Sequence, residues 1–311
     1  MTKTSRWMGR RVAGLLAGAT LALAPWSAAH AELRIVACEP EWAALTTELA
    51  GPLAQVYSAT TAQQDPHQVQ ARPSLIAAVR RADLLVCTGA ELDAGWLPLL
   101  QRQAGNPAIQ PGRPGLFEAA AQVELLGVPA RLDRADGDVH AAGNPHIQTD
   151  PRRIARVAAA LARRLAEVDP AHAGDFERRH ADFAQRWQTA ITRWERSAAP
   201  LKGLPIVVQH QGFPYLEQWL GLRQVAALEP KPGLEPSSAH LQSVLATLQR
   251  QPARLILRAA YNDGRGSQWL AERTQLPVVV LPYTVGGSEA AKDLFGLFDD
   301  TVARLLKAVQ P

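Results

Sequence analysis

The sequence predicts an α/β fold of two lobes, each a mostly parallel sheet flanked by helices, linked by one long helix. Three patterns lead to this. Short apolar runs alternate with helical stretches between Leu33 and Cys87, and the same rhythm returns after Gly203. Between them, residues 152–197 are helical in composition throughout. Strand–helix–strand alternation favours parallel pairing, because parallel neighbours need a crossover that covers the sheet face.

Leu33-Arg34-Ile35-Val36-Ala37 reads as a first buried strand, and Trp42 to Leu49 as a helix stopped by Gly51-Pro52. Gln55 to Ala59 is a second strand, followed by a polar loop carrying His67. Pro73 opens a helix through Arg80, at an early position where its missing N–H removes no helical bond. Leu84-Leu85-Val86-Cys87 is a third strand. Residues 103–115, rich in Pro, Gly and Asn, are expected to be irregular, and Val123 to Val128 is the next strand candidate. The polar stretch from Arg131 to Asn144 leads to His146.

Asp150-Pro151 starts a helix with Asp as N-cap and Pro at the first position. Ile154, Val157, Ala158, Leu161 and Leu165 continue it at helical spacing. Asp169-Pro170 breaks the run and restarts it. Phe176, Phe183, Trp187, Ile191 and Trp194 then mark a helix about 40 Å long at 1.5 Å per residue. Their spacing does not hold a strict heptad, which argues against a coiled coil. Pro205 to Gln209 is a strand ending at His210, and Tyr215 to Leu220 is helical. Leu255-Ile256-Leu257 and Val278-Val279-Val280-Leu281 are buried strands, and Leu294 to Val309 is a C-terminal helix. The expected divisions are a leader at 1–31, an N-terminal lobe at 32–168, a linking helix at 169–200 and a C-terminal lobe at 201–311.

The leader has a basic start at Lys3, Arg6, Arg10 and Arg11, an apolar run from Val12 to Pro25, and the small-x-small signal Ala29-His30-Ala31. This is the pattern of a secretory signal peptide, with cleavage expected after Ala31. The apolar run falls short of the roughly 20 residues of a spanning helix, and no later segment is apolar enough to span. Ile35-Val36-Ala37-Cys38 imitates a lipoprotein box, but Glu32 and Arg34 separate it from the apolar run, so lipidation is not expected.

The formal net charge of +4 lies wholly in those four leader residues. The remainder is neutral on balance, which gives no case for nucleic acid or an anionic membrane as partner. Cys38 and Cys87 are the only cysteines. An exported chain permits a disulfide between them, two buried thiols being the alternative. They end the first and third strands, which are often neighbours in doubly wound sheets.

Three histidines carry the chemistry. His67 stands in Asp65-Pro66-His67, His146 in Asn144-Pro145-His146, and His210 in Val207-Val208-Gln209-His210. Pro fixes φ and biases the preceding residue toward extended geometry, and Asx before Pro favours a turn. Imidazoles held on stiff loops and aimed at one point suit a borderline-soft divalent metal. A single histidine in such a context is ordinarily a core or surface residue with a local hydrogen bond; three together are not.

At these residues the chain resembles the periplasmic metal-binding receptors of zinc and manganese ABC transporters. The likeness covers essentially all of the chain after the leader. It is carried by Asp65-Pro66-His67 with Arg72-Pro73-Ser74, by Asn144 through Pro151, and by His210-Gln211-Gly212-Phe213-Pro214-Tyr215 continuing to Leu220-Gly221-Leu222. The resemblance implies that His67, His146 and His210 bind one metal ion in the cleft between the lobes. It implies that the long helix stiffens the hinge, so that closure is modest. It implies a monomer working in the periplasm and delivering metal to an ABC permease.

Many members place an Asp or Glu ligand just after the last buried strand; here that stretch reads Pro282-Tyr283-Thr284-Val285-Gly286-Gly287, without a carboxylate. The fourth ligand is then water, His140 from its Gly- and Asp-rich loop, or an unassigned acid. An imidazole-rich set favours zinc over manganese.

Glu39 and Glu41, and Glu91 with Asp93, follow buried strands and read first as helix-start charges, second as partners of a site. Glu229 and Glu235 read as members of an ordinary Pro-rich surface loop, Asp263 as a turn residue, and His172, His180 and His240 as solvated. A stand-alone zinc chaperone and a manganese receptor are the nearest alternatives. A secreted zinc hydrolase needs a general base beside the metal-bound water, and no His-Glu-x-x-His helix is present.

Overall fold

The computed structural model describes residues 32–131, 137 and 140–310, with Met1, Thr2 and Thr4. The expected signal peptide and its cleavage site, and most of the acidic loop before His140, lie outside the described residues. Among the described residues, eight strands form two four-stranded sheets. The first contains β1 (Leu33–Ala37), β2 (Ala54–Ser58), β3 (Leu84–Cys87) and β4 (Leu116–Glu118) in the order β2-β1-β3-β4. The second contains β5 (Pro205–Val208), β6 (Arg223–Ala227), β7 (Leu255–Ala259) and β8 (Val278–Leu281) in the order β6-β5-β7-β8. Every pairing is parallel.

The helices in chain order are α1 (Pro40–Ala50), α2 (Pro73–Arg80), α3 (Leu97–Ala104), α4 (Pro151–Val168), α5 (Ala173–Ala198), α6 (Pro214–Leu220), α7 (Ser238–Arg250), α8 (Arg265–Thr274) and α9 (Leu294–Val309). Asp150 caps α4 by accepting from the Arg152 N–H at 2.9 Å. Pro170 cannot continue α4, so a 3-10 turn over Pro170–His172 intervenes before α5. Helix α5 doubles back on α4, and the Trp187 indole donates to the Pro151 carbonyl at 2.8 Å, tying mid-α5 to the first turn of α4. Its 26 residues span about 39 Å at 1.5 Å each. In its C-terminal half, Trp194 packs on Phe298 of α9 with ring centres 5.1 Å apart and donates to Asp299 Oδ1 at 2.6 Å.

The largest hydrophobic cluster therefore runs through both lobes without a break. It takes Ile35 and Trp42 from the first, Leu161, Trp187 and Trp194 from the helical layer, and Ile206, Leu257 and Phe298 from the second. Each sheet packs its other face on a smaller cluster of its own. A core continuous across the linking helix resists large rigid-body motion, because separating the lobes would expose it to water.

Two sequence expectations are corrected. Val123 to Val128 forms no strand. The Leu126 N–H donates to the Tyr215 hydroxyl across the lobe junction at 3.0 Å, and its carbonyl accepts from the Asn144 N–H within the N-terminal lobe at 2.7 Å, so neither group pairs in a sheet. The fourth strand is the three-residue β4, just past the Pro- and Gly-rich stretch. Strand β6 was not anticipated; it is a half-buried edge whose apolar residues are Val225 and two alanines.

β1 and β3 are neighbours, and Cys38 and Cys87 are joined by a disulfide with Cα atoms 4.7 Å apart. The bond uses the Cys38 thiol that a lipid anchor would need. In the chain-entropy model a bridge closing 49 residues stabilises by about 4 kcal/mol. We expect no free thiol when the protein is titrated in denaturant without reductant, and a loss of up to about that stability for the Cys38→Ala, Cys87→Ala double variant in urea melts.

Candidate metal centre

The carboxyl ends of both sheets open on one cleft, the usual ligand position of open α/β sheets. His67 reaches it from the loop after β2, His146 from the turn before α4, and His210 from the end of β5. The two Asx-Pro-His segments fold alike. Asp65 Oδ1 accepts from the His67 N–H and Asn144 Oδ1 from the His146 N–H, both at 3.0 Å. Each turn is closed by the residue two positions before the histidine, with Pro fixing φ between them.

The three rings meet at centre-to-centre distances of 5.5 Å (His67–His146), 5.9 Å (His67–His210) and 5.5 Å (His146–His210), all edge-on. One nitrogen from each lies within 4.8 Å of the others. A tetrahedral zinc site with Zn–N near 2.0–2.1 Å holds its nitrogens about 3.3 Å apart. The rings thus need to draw in by up to about 1.5 Å, within reach of side-chain torsions.

Two carboxylates set the rings. Asp65 Oδ1 lies 2.7 Å from His67 Nδ1, and Glu229 Oε2 lies 2.7 Å from His210 Nδ1. A carboxylate only accepts, so each Nδ1 carries a proton and Nε2 is the nitrogen left for a metal. His67 Nε2 is buried with no hydrogen-bond partner, and so is His146 Nδ1. Burial would raise Asp65, but the hydrogen bonds and charge of His67 outweigh it and hold the carboxyl below its usual range. Burial first, then the neighbouring His67, His210 and His140, push His146 well below the usual imidazole value. It is therefore a neutral donor at neutral pH.

His140 stacks on His67 with ring centres 5.6 Å apart, and lines the cleft with His146 and His210, but does not join the three converging nitrogens. The stretch after β8 brings Tyr283 against the His146 ring at 5.7 Å, where relatives were expected to place a carboxylate. Tyr283 holds φ at +70°, a left-handed conformation rare for an aromatic residue.

Several minor expectations change. Glu39 and Glu41 do stand at the start of α1, as its N-cap residue and in its first turn, but both are buried, as is Asp93. Glu39 Oε2 accepts from the Thr88 N–H and hydroxyl, while its Oε1, like Asp93 Oδ1, is buried with no hydrogen-bond partner. Burial and the Asp93 carboxyl push Glu39 well above the usual range, so the pair holds a proton. Glu41 accepts from the Thr284 hydroxyl across the lobes. Glu91 accepts from the Ala141 N–H and so braces the segment that carries His140.

Glu229 is no ordinary surface-loop residue, since it anchors His210. Its 19-residue separation from His210 left no sequence signal, whereas Asp65, two residues from His67, was within view. Asp263 caps α8 through the Arg265 N–H. His172, His180 and His240 are half-buried away from the cleft, with His172 on Asp169 and His240 on the Ala227 carbonyl.

A two-lobed α/β protein with a shared helical spine and three imidazoles meeting in its cleft belongs to the class of metal-binding receptors. The chain belongs to the ZnuA family, zinc-uptake complex component A, periplasmic, whose model matches residues 35–308. It is 25% identical over 286 residues to the high-affinity zinc uptake system protein ZnuA of Paracoccus denitrificans, covering 81% of this chain and 84% of that one. It is 24% identical over 230 residues to the zinc-binding lipoprotein AdcA of Streptococcus pneumoniae, covering 73% of this chain but only 44% of that longer protein. Its fold superposes on a crystal structure of ZnuA with TM-score 0.75 at 20% identity, covering 90% of this chain and all of that one. A mutant of the laminin-binding adhesin Lmb from Streptococcus agalactiae gives 0.74 at 20% identity, over 89% of this chain and all of that one.

The Glu41–Thr284 contact generates a pH test. Burial pushes Glu41 up to about 7, and the Thr284 hydroxyl pulls it down by favouring the charged form. Glu41 therefore takes up its proton on folding between its unfolded value of 4.5 and about 7, and its contribution to stability falls as pH rises through that window. Thr284→Val should destabilise by about 1.5–3 kcal/mol where Glu41 is charged, and by less where it is protonated. Urea melts at pH 8.5 and pH 5.5 should show the larger deficit at the higher pH.

Proposed function

We propose that the cleft binds one zinc ion through His67, His146 and His210 and delivers it to the permease of an ABC transporter. The observation that carries this is the convergence of one nitrogen from each of three imidazoles from both lobes, two of them on rings fixed by carboxylates. The all-imidazole set favours zinc over manganese, which takes oxygen-rich sites. Family membership supports a zinc-uptake role outside the cytoplasm, and we place the protein in the periplasm as a monomer. We divide it into lobes at 32–168 and 201–311, joined through 169–200. The continuous core and the contacts across the cleft, Asn144 Nδ2 to the Gln211 carbonyl at 2.9 Å among them, support modest closure on the ion. We assign His140 to loading: it donates from its loop to an incoming ion, with water filling the fourth position when it is away. Ordering such a loop costs roughly 1–2 kcal/mol per residue fixed, so a loop ligand adds less than a preset one.

Calorimetric titration should give one tight zinc site per chain. Ala at His67, His146 or His210 should each weaken binding more than about 100-fold, beyond the 10–100-fold loss typical of removing an outer partner. Wild-type affinity in any of the three removes that residue from the site. Glu229→Gln should cost about 10-fold. His140→Ala should reduce affinity or loading rate mildly, and no change in either would leave water or another acid as the fourth ligand.

A further inference from the structure

We infer a second ligand site in the C-terminal lobe, taking a small organic cation that carries an ammonium group. Beside the metal centre lies a cavity of about 270 Å³, lined by Gln209, Glu229, Glu235, Asp263 and Trp269 among others. It sits beyond the carboxyl ends of β5 and β7. Sheet order reverses there, since the chain leaves β5 for β6 on one side and later returns to β7 on the other. Such switch points are where open α/β sheets hold small molecules. The matching crevice between β1 and β3 is closed by the Cys38–Cys87 disulfide and the Glu39–Thr88 hydrogen bonds.

The lining selects a cation. Three carboxylates face the cavity against one guanidinium, Arg265, which is already held by Asp263 Oδ2 at 2.7 Å and Glu235 Oε1 at 3.1 Å. Glu229 is the inner charge, its side chain 13% exposed. Gln209, 4% exposed, has its Oε1 buried with no donor. An ammonium brings a charge for the carboxylates and three donors for such oxygens. Trp269, Leu241 and Pro236 supply apolar walls for a short hydrocarbon body. The first turn of α8 borders the cavity at Gly266, where a Cβ would come within 3.3 Å of Gln209 Oε1.

Glu229 serves both sites, because its Oε2 also accepts from His210 Nδ1. A carboxylate partner raises the basicity of a ligating imidazole. A cation drawn to Glu229 competes for that charge and weakens zinc at His210, and zinc weakens the cation equally. This coupling rests on the zinc reading above; the cation site itself does not.

The test is calorimetry on the metal-free full chain with n-butylammonium chloride, and with sodium butyrate at matched ionic strength. One saturable butylammonium site with Kd of about 1–10 mM is expected, the scale open to so small a ligand, with none for butyrate. Leu241→Trp, which fills the cavity, and Trp269→Leu should each weaken it at least about five-fold while leaving zinc affinity unchanged. If Leu241→Trp fails to fold, Trp269→Leu decides. No binding, equal binding of butyrate, or unchanged affinity in the folded variants overturns the site. Saturating butylammonium should weaken zinc about five-fold, and an unchanged zinc Kd overturns the coupling. A chain that binds butylammonium but no zinc refutes the metal reading alone.

Discussion

Three imidazoles must be held within about 6 Å of one another, and much of the molecule serves that constraint. Imidazoles at this range cannot all be charged without strong repulsion. Asp65 and Glu229 orient His67 and His210 by accepting hydrogen bonds from their Nδ1–H groups, which leaves Nε2 as the nitrogen available to a metal. His146 has no carboxylate and stays neutral because it is buried. Its backbone is fixed by Asn144, whose amide also reaches across to the Gln211 carbonyl.

Loops alone could not keep rings from two lobes in register. The helical layer does so. Trp187 ties α5 to the start of α4, Trp194 ties its C-terminal half to α9, and the aromatic rings between them belong to a single core. Buried polar contacts across the junction, Glu41 with Thr284 and Tyr215 with the Asn144 carbonyl, add direction that apolar packing lacks.

The lobes share a topology but use it differently. In the first, the crevice at the reversal of strand order is filled by a disulfide and a proton-sharing pair of acids, which braces the segments near His67. In the second it stays open, and Glu229 stands between it and His210. The stretch after the last strand carries Tyr283 and Thr284 in place of a carboxylate ligand, so the donor set is nitrogen-rich and suits zinc.

Local rules determined much of this from sequence. Pro73 and Arg80 bound α2 as expected, Asp150-Pro151 starts α4, and Leu294 to Val309 is α9, because capping and proline geometry act within a few residues. The three histidines were legible for the same reason: two share an Asx-Pro-His turn and the third ends a buried strand. The disulfide was open in the sequence and was decided by the adjacency of β1 and β3. Two edge strands escaped because β4 has three residues and β6 only Val225 and two alanines as apolar residues, so pairing defines them more than composition does. Glu229 looked like a loop residue and Glu41 like a helix-start charge, since nothing local marks a carboxylate that closes a hydrogen bond 19 or 243 residues away. Periodicity and turn chemistry are short-range and can be read along the chain. Burial, tautomer and the partner of a buried charge depend on which surfaces the fold brings together, and only the tertiary structure decided those.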